Sequence, residues 1–202
     1  MYRLLTLLIM VPAIAIAGSQ DAERFTHIAG VNLSDLPALE ELQKLFGMSS
    51  IVESGDAGNY DARICYRTSN EKAVVEFFHG EVNWGFVLRR PEPKDQKCPI
   101  SKKLELRRLS IAEVSLGMDE AKYRRIMGKP YKETSNRLEY HFKYVHTLTD
   151  KELKQMVERN RKNGYPPGNS EDLRRWDVGI YISAVFTKDH LASFTVSRTE
   201  TN

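Results

Sequence analysis

The sequence predicts an α+β fold, a tandem repeat of a short helical unit packed on an antiparallel β-sheet, with a helical insertion in the second repeat. Three observations predict it. Two short amphipathic helices each stop at a glycine, Gly47 and Gly128. Two pairs of apolar or alternating segments, within residues 74–88 and 180–196, have the pattern of β-hairpins. The helix precedes the hairpin in both cases.

The chain opens with Arg3, an apolar run over residues 4–16, and Ala15-Ile16-Ala17 before Gly18, the layout of a cleavable secretory signal. The run falls short of the roughly 20 residues that cross a bilayer, and Pro12 interrupts it. Residues 1–17 are therefore expected to be a signal peptide, leaving 185 of 202 residues as a soluble periplasmic or secreted protein. No cysteine follows the cut, so a lipid attachment site is not expected. Losing Arg3 lowers the formal charge from +3 to +2, too little for a nucleic-acid partner.

Two cysteines remain, Cys65 and Cys98. In an oxidising compartment an even pair is expected to form a disulfide, worth roughly 3 to 4 kcal/mol through restriction of the unfolded chain. A catalytic thiol would instead need a neighbouring base and a depressed pKa.

In the first repeat, assigned to residues 18–98, Leu39, Leu42, Leu45 and Phe46 form the apolar stripe of a helix introduced by Asp35 and Pro37. The second repeat, residues 99–202, begins after a proline-rich linker over 89–103. Its helix follows Asp119, whose carboxylate suits the orphan amides of the first turn, and Met118 and Tyr123 stand as a hydrophobic staple. Leu45-Phe46-Gly47 thus matches Ile126-Met127-Gly128 at an offset of 81.

The hairpins match at an offset of 108, which aligns Phe78 with Phe186, Phe86 with Phe194 and Leu88 with Val196. The difference of 27 implies an insertion, expected at about 146–178. Thr149 and Glu152 form a capping box for a helix from about 150 to 163, with Leu153, Met156 and Val157 as its apolar stripe. A loop over 165–170 and a helical turn over 171–176 complete it.

Residues 117–130, Gly-Met-Asp-Glu-Ala-Lys-Tyr-Arg-Arg-Ile-Met-Gly-Lys-Pro, with Leu138-Glu-Tyr-His-Phe142 and the closing hairpin, resemble the outer-membrane-assembly small-lipoprotein domain. They are also similar to the β-lactamase-inhibitor-protein type of fold, in which helices pack on one face of an antiparallel sheet, sometimes in tandem. The resemblance implies a non-catalytic envelope protein that works through contacts on its sheet or loops. The lipid-bearing cysteine is missing from the pattern, and the inserted helix departs from it.

The chemical motifs point away from catalysis. His27, His79, His141, His146 and His190 include no pair at i, i+4 spacing, so no metal site is expected. Residues 53–61 hold acids and glycines but not the alternating ligand spacing of a calcium loop. Ser101-Lys102-Lys103-Leu104 is not an SxxK motif, and G-x-S-x-G does not occur. The expectation is no enzyme, no cofactor and no metal, with a hydrolase built on an unrecognised carboxylate pair as an alternative.

Binding has better candidates. Tyr165, Arg174, Arg175 and Trp176 lie in the insertion, and exposed aromatic and arginine side chains make binding hot spots. Trp176 and Leu173 would alternatively pin the insertion to the sheet. Trp84, Tyr181, Phe186 and Phe194 lie on strands, where packing competes with binding. The chain is thus expected to bind a protein, as an inhibitor or adaptor, or else to serve as a structural factor in envelope biogenesis.

Overall fold

Alternation along the longer segments sets one face of a sheet against a core and leaves the other face richer in polar residues. The computed structural model describes residues 19–35, 37–56, 59–106, 109–162 and 174–201. The expected signal peptide and Tyr165 lie outside these residues.

A 3-10 helix, Ser19–Thr26, leads into a two-strand ribbon of β1 (His27–Ile28) and β2 (Val31–Asn32). Helix α1 (Leu39–Phe46) precedes β3 (Val52–Ser54), β4 (Asp61–Thr68), β5 (Val74–Gly80) and β6 (Asn83–Arg89). After β7 (Ile100–Ser101), α2 (Glu120–Met127) precedes β8 (Lys132–Thr134) and β9 (Arg137–Thr147). Helix α3 (Asp150–Lys162) then separates β9 from β10 (Arg175–Thr187) and β11 (His190–Thr201). The fold is α+β. Eight strands form the order β3-β4-β5-β6-β11-β10-β9-β8, all neighbours antiparallel, and β7 pairs parallel with β4.

Both short helices lie on the same side of this sheet. Phe46 of α1 packs on Tyr66 and Phe77, with ring centroids 5.5 and 5.8 Å apart. Tyr123 of α2 sits among Tyr140, Phe186 and Phe194 at 5.3 to 6.2 Å. The N-terminal segment adds Ala22, Phe25, Ile28, Val31 and Leu33 to that core. Burial of this many large apolar side chains, each worth roughly 1.5 to 3 kcal/mol, is the main favourable term holding the layers together.

The caps follow the sequence in part. Gly47 and Gly128 terminate their helices at φ of 104° and 75°, and each N–H bonds the carbonyl four residues back. Asp119 accepts from Lys122 N at 3.2 Å. Asp35 instead ends a 3-10 turn, and Ala38 stands at the α1 cap without a side-chain bond. Thr149 and Glu152 form the expected capping box, with Glu152 accepting from Thr149 N at 2.8 Å.

Three expectations change. Strand pairing of β9 with β10 runs on through Thr147 and Arg175, so the excursion occupies 148–174 rather than 146–178. Arg175 and Trp176 are the first residues of β10, not part of a helical turn, because they pair with Thr147 and His146. The offset of 108 also fails at Phe78. A bulge between Val185 and Phe186 leaves Ala192 unpaired, and Phe77, not Phe78, is the buried residue facing Phe86. Phe78 lies over Gly85 on the opposite face, where a Cβ would come within 2.5 Å of its ring.

Candidate partner-binding face

The face of the sheet turned away from α1 and α2 differs between its two halves. Over β4, β5 and β6 it is held down by the linker. Arg89 pairs with Asp95 in the 3-10 turn Pro93–Lys97, and Asp95 also accepts from Glu92 N at 2.7 Å. Arg67 donates from Nε to the Cys98 carbonyl at 2.8 Å. Cys98 is joined to Cys65 of β4, with Cα atoms 5.3 Å apart, as the sequence led us to expect. Val74, whose cross-strand neighbours are Arg67 and Arg89, is fully buried as a result. The guanidinium beside Asp95 holds its carboxyl below the usual carboxylate range, ahead of the opposing effect of burial.

The linker then turns round the free edge of β4. Ile100 and Ser101 pair with Arg67 and Thr68, and Leu104, Leu109, Ile111 and Val114 enter the core on the helix side. A cleft of about 580 Å³ at this turn has Leu88, Leu106, Leu109 and Leu116 in its lining, together with Ser69 and Asn70. It lies where the linker passes from one face to the other.

Over β9 and β10 the same face carries an aromatic group. His141 and Tyr181 are a cross-strand pair. Tyr131, in the turn after α2, sets its ring edge-on to His141 at 6.3 Å. Tyr131 is 78% exposed, Tyr181 37% and Val145, two pairs further along, 44%. Burial, then a hydrogen bond to Glu139, raises the Tyr181 phenol above its usual pKa. Burial, then the Lys143 charge, lowers His141. Both groups are therefore neutral at neutral pH. Exposed tyrosines bring large contact area with few rotatable bonds, the combination that serves recognition.

Charge on this half leans positive. Lys132, Arg137, Lys143 and Arg175 stand on the open side, against Glu139 and Asp177. Arg137 lies 3.9 Å from Glu139. Among the described residues, Lys143 and Arg175 form no ion pair.

The insertion residues singled out from sequence are not gathered into one patch. Arg174 donates to Asp150 at 2.9 Å and accepts from Leu148 N at 2.8 Å, closing the base of the excursion. Arg175 and Trp176 are consecutive in a strand and so face opposite sides, Arg175 the open side and half-buried Trp176 the core side. Trp84, Phe186 and Phe194 are core residues, and Trp84 donates its indole N–H to the Leu33 carbonyl. Of these four strand aromatics, Tyr181 alone faces out. Tyr131 was missed because it follows Pro130 in a stretch without periodicity; its neighbour His141 arrives only through the fold.

Comparison with family models, with curated proteins and with solved structures finds no match for this chain. No helix among the described residues is long and apolar enough to cross a membrane. The Cys65–Cys98 disulfide is compatible with export.

Proposed function

We propose that the chain is an exported protein-binding module of the bacterial envelope, built as a tandem repeat, that acts by contact through the open face of its second half rather than by catalysis. Two features support the repeat. Helix and four strands follow in the same order twice, in β3 to β6 after α1 and in β8 to β11 after α2. Across the central seam, Phe86 stands opposite Val196 and Leu88 opposite Phe194. A two-fold that exchanges Phe86 with Phe194 and Leu88 with Val196 demands those pairings, with Val87 and Thr195 on the axis. The sequence resemblance to the β-lactamase-inhibitor-protein type of fold, which is sometimes a tandem repeat, supports the same reading and implies contacts through the sheet or loops.

One observation carries the functional reading. Under this equivalence His141 and Tyr181 take the places of Arg67 and Val74, and those residues are roofed by the disulfide-pinned linker while His141 and Tyr181 are bare. A surface that one half keeps covered is left in the other half to a partner. Exposed apolar and aromatic side chains side by side on a sheet mark such a surface.

The test is quantitative co-purification from periplasmic extract. The protein lacking residues 1–17 is compared with its Tyr131→Ala, Tyr181→Ala and Tyr60→Ala variants. The reading expects one partner retained by the wild type and by Tyr60→Ala but lost by the other two. Equal recovery by all four would count against it.

A further inference from the structure

Strand β9 ends the sheet over most of its length. β8 pairs only with residues 137–139, so the outer edge of residues 140–147 has no strand beside it among the described residues. That edge has a defined polarity. Glu139 O accepts from Tyr131 N across it at 2.8 Å, and backbone groups of alternate residues in a strand point the same way. His141, Lys143, Val145 and Thr147 therefore turn their N–H and C=O groups outward.

In the first half the corresponding place is filled. Arg67 N donates to Pro99 O at 2.9 Å, and β7 continues alongside Arg67 and Thr68. The β4 edge thus accepts an extended segment that approaches over the open face.

We infer that residues 140–147 of β9 accept an extended acidic peptide segment of a partner protein as an added strand, in the position that β7 holds on β4. Unpaired edge groups are a template for such addition. Acidity follows from the open-side charges, since Lys143 and Arg175 have no anionic partner among the described residues. A second copy of the chain is the wrong occupant. Antiparallel edge-to-edge pairing of two β9 strands centred on residue 143, the register that overlaps the free edges most fully, would set Lys143 directly against its own counterpart, and like charges directly opposite are unfavourable. The inference rests on the proposed equivalence of the halves, and it deepens the proposed use of this face.

The probe is a fluorescein-labelled octapeptide alternating Val or Thr with Glu, titrated by anisotropy against the chain lacking residues 1–17. Three comparisons accompany it: the same peptide with alternate amides N-methylated, the same with Lys for Glu, and the Val145→Pro and Lys143→Glu variants. Proline at 145 removes an outward N–H and leaves the inward ladder intact. Saturable binding is expected, weakened about tenfold or more by N-methylation or by Val145→Pro. Lys143→Glu is expected to shift preference towards the basic peptide. Equal binding of the N-methylated or basic peptide, or no binding, overturns the inference; N-methylation keeps the test valid should Val145→Pro fail to fold. Partner loss with Tyr181→Ala but not with Val145→Pro would leave the face reading standing and remove the edge alone.

Discussion

Tyr66 donates its hydroxyl to the carbonyl oxygen of Gly47 at 3.0 Å, so a fully buried phenol on β4 ties off the end of α1. Tyr140 on β9 makes the same bond to Gly128 at the end of α2, at 3.3 Å. Each glycine carries the left-handed backbone that lets the chain leave the helix, and each phenol supplies a partner to a carbonyl the helix cannot satisfy. Burial pushes both phenols up to about 12, so they remain protonated donors throughout the physiological range.

Tyr66→Phe and Tyr140→Phe each remove this donor while keeping the ring. Each is expected to lower stability by about 1 kcal/mol, read as a fall in the urea midpoint at unchanged slope. Similar losses at both sites fit two equivalent units. A loss at one site only would argue that the bond serves a single half.

Tyr123 gives the opposite expectation. Its ring fills the core between Tyr140, Phe186 and Phe194, but its hydroxyl is buried with no hydrogen-bond partner among the described residues. Tyr123→Phe removes an unsatisfied polar group and is expected to leave stability unchanged or to raise it by up to about 1 kcal/mol. Urea unfolding of the pair of proteins checks it, and a marked loss would mean that the hydroxyl has a partner.

How much of this was legible in the sequence depends on the range of the signal. The helix ends at Gly47 and Gly128, the Asp119 cap, and the capping box of Thr149 and Glu152 are local, and the structure has them. The registers are not local. The bulge at Ala192 shifts the match by one residue and exchanges Phe78 for Phe77 in the core, which no count along the chain reveals. The sequence left Trp176 between an exposed hot spot and a pin of the insertion because its segment lacks periodicity; pairing with His146 makes it a strand residue on the core side. The aromatic face was illegible for the same reason, since Tyr131, His141 and Tyr181 are brought together by pairing across two strands.

The linker is expected to depend on its disulfide. Cys65 and Cys98 are 33 residues apart, and Cys65→Ser with Cys98→Ser should cost roughly 3 to 4 kcal/mol through the unfolded chain. Hydrogen exchange should then rise at residues 92–101 and at Arg67, whose N–H bonds Pro99. Residues 137–147 should lose only the protection that the global destabilisation removes, less than the linker loses. Uniform loss of protection across the whole sheet would contradict the assignment of the disulfide to the linker alone.

Asp95 makes the attachment of the linker pH-dependent. Its carboxyl is 3% exposed and sits below its ordinary pKa of 3.8 because Arg89 bonds the charged form. A depressed folded pKa adds stability that is present above the unfolded value and lost as pH falls through the folded one. Asp95→Asn should therefore be less stable than wild type at pH 7, with the difference shrinking below pH 3.8. Thermal melts at both ends of that range check the sign.

Site-specific photo-cross-linking in intact cells tests the central claim most directly. A benzophenone side chain is placed in turn at Tyr131 and Tyr181 on the bare half, and at Leu45 and Val82, exposed positions in the first half. Adducts to a single protein from Tyr131 and Tyr181, and none to it from Leu45 or Val82, are the predicted result. The same adduct from all four positions, or from Leu45 and Val82 alone, would contradict the account.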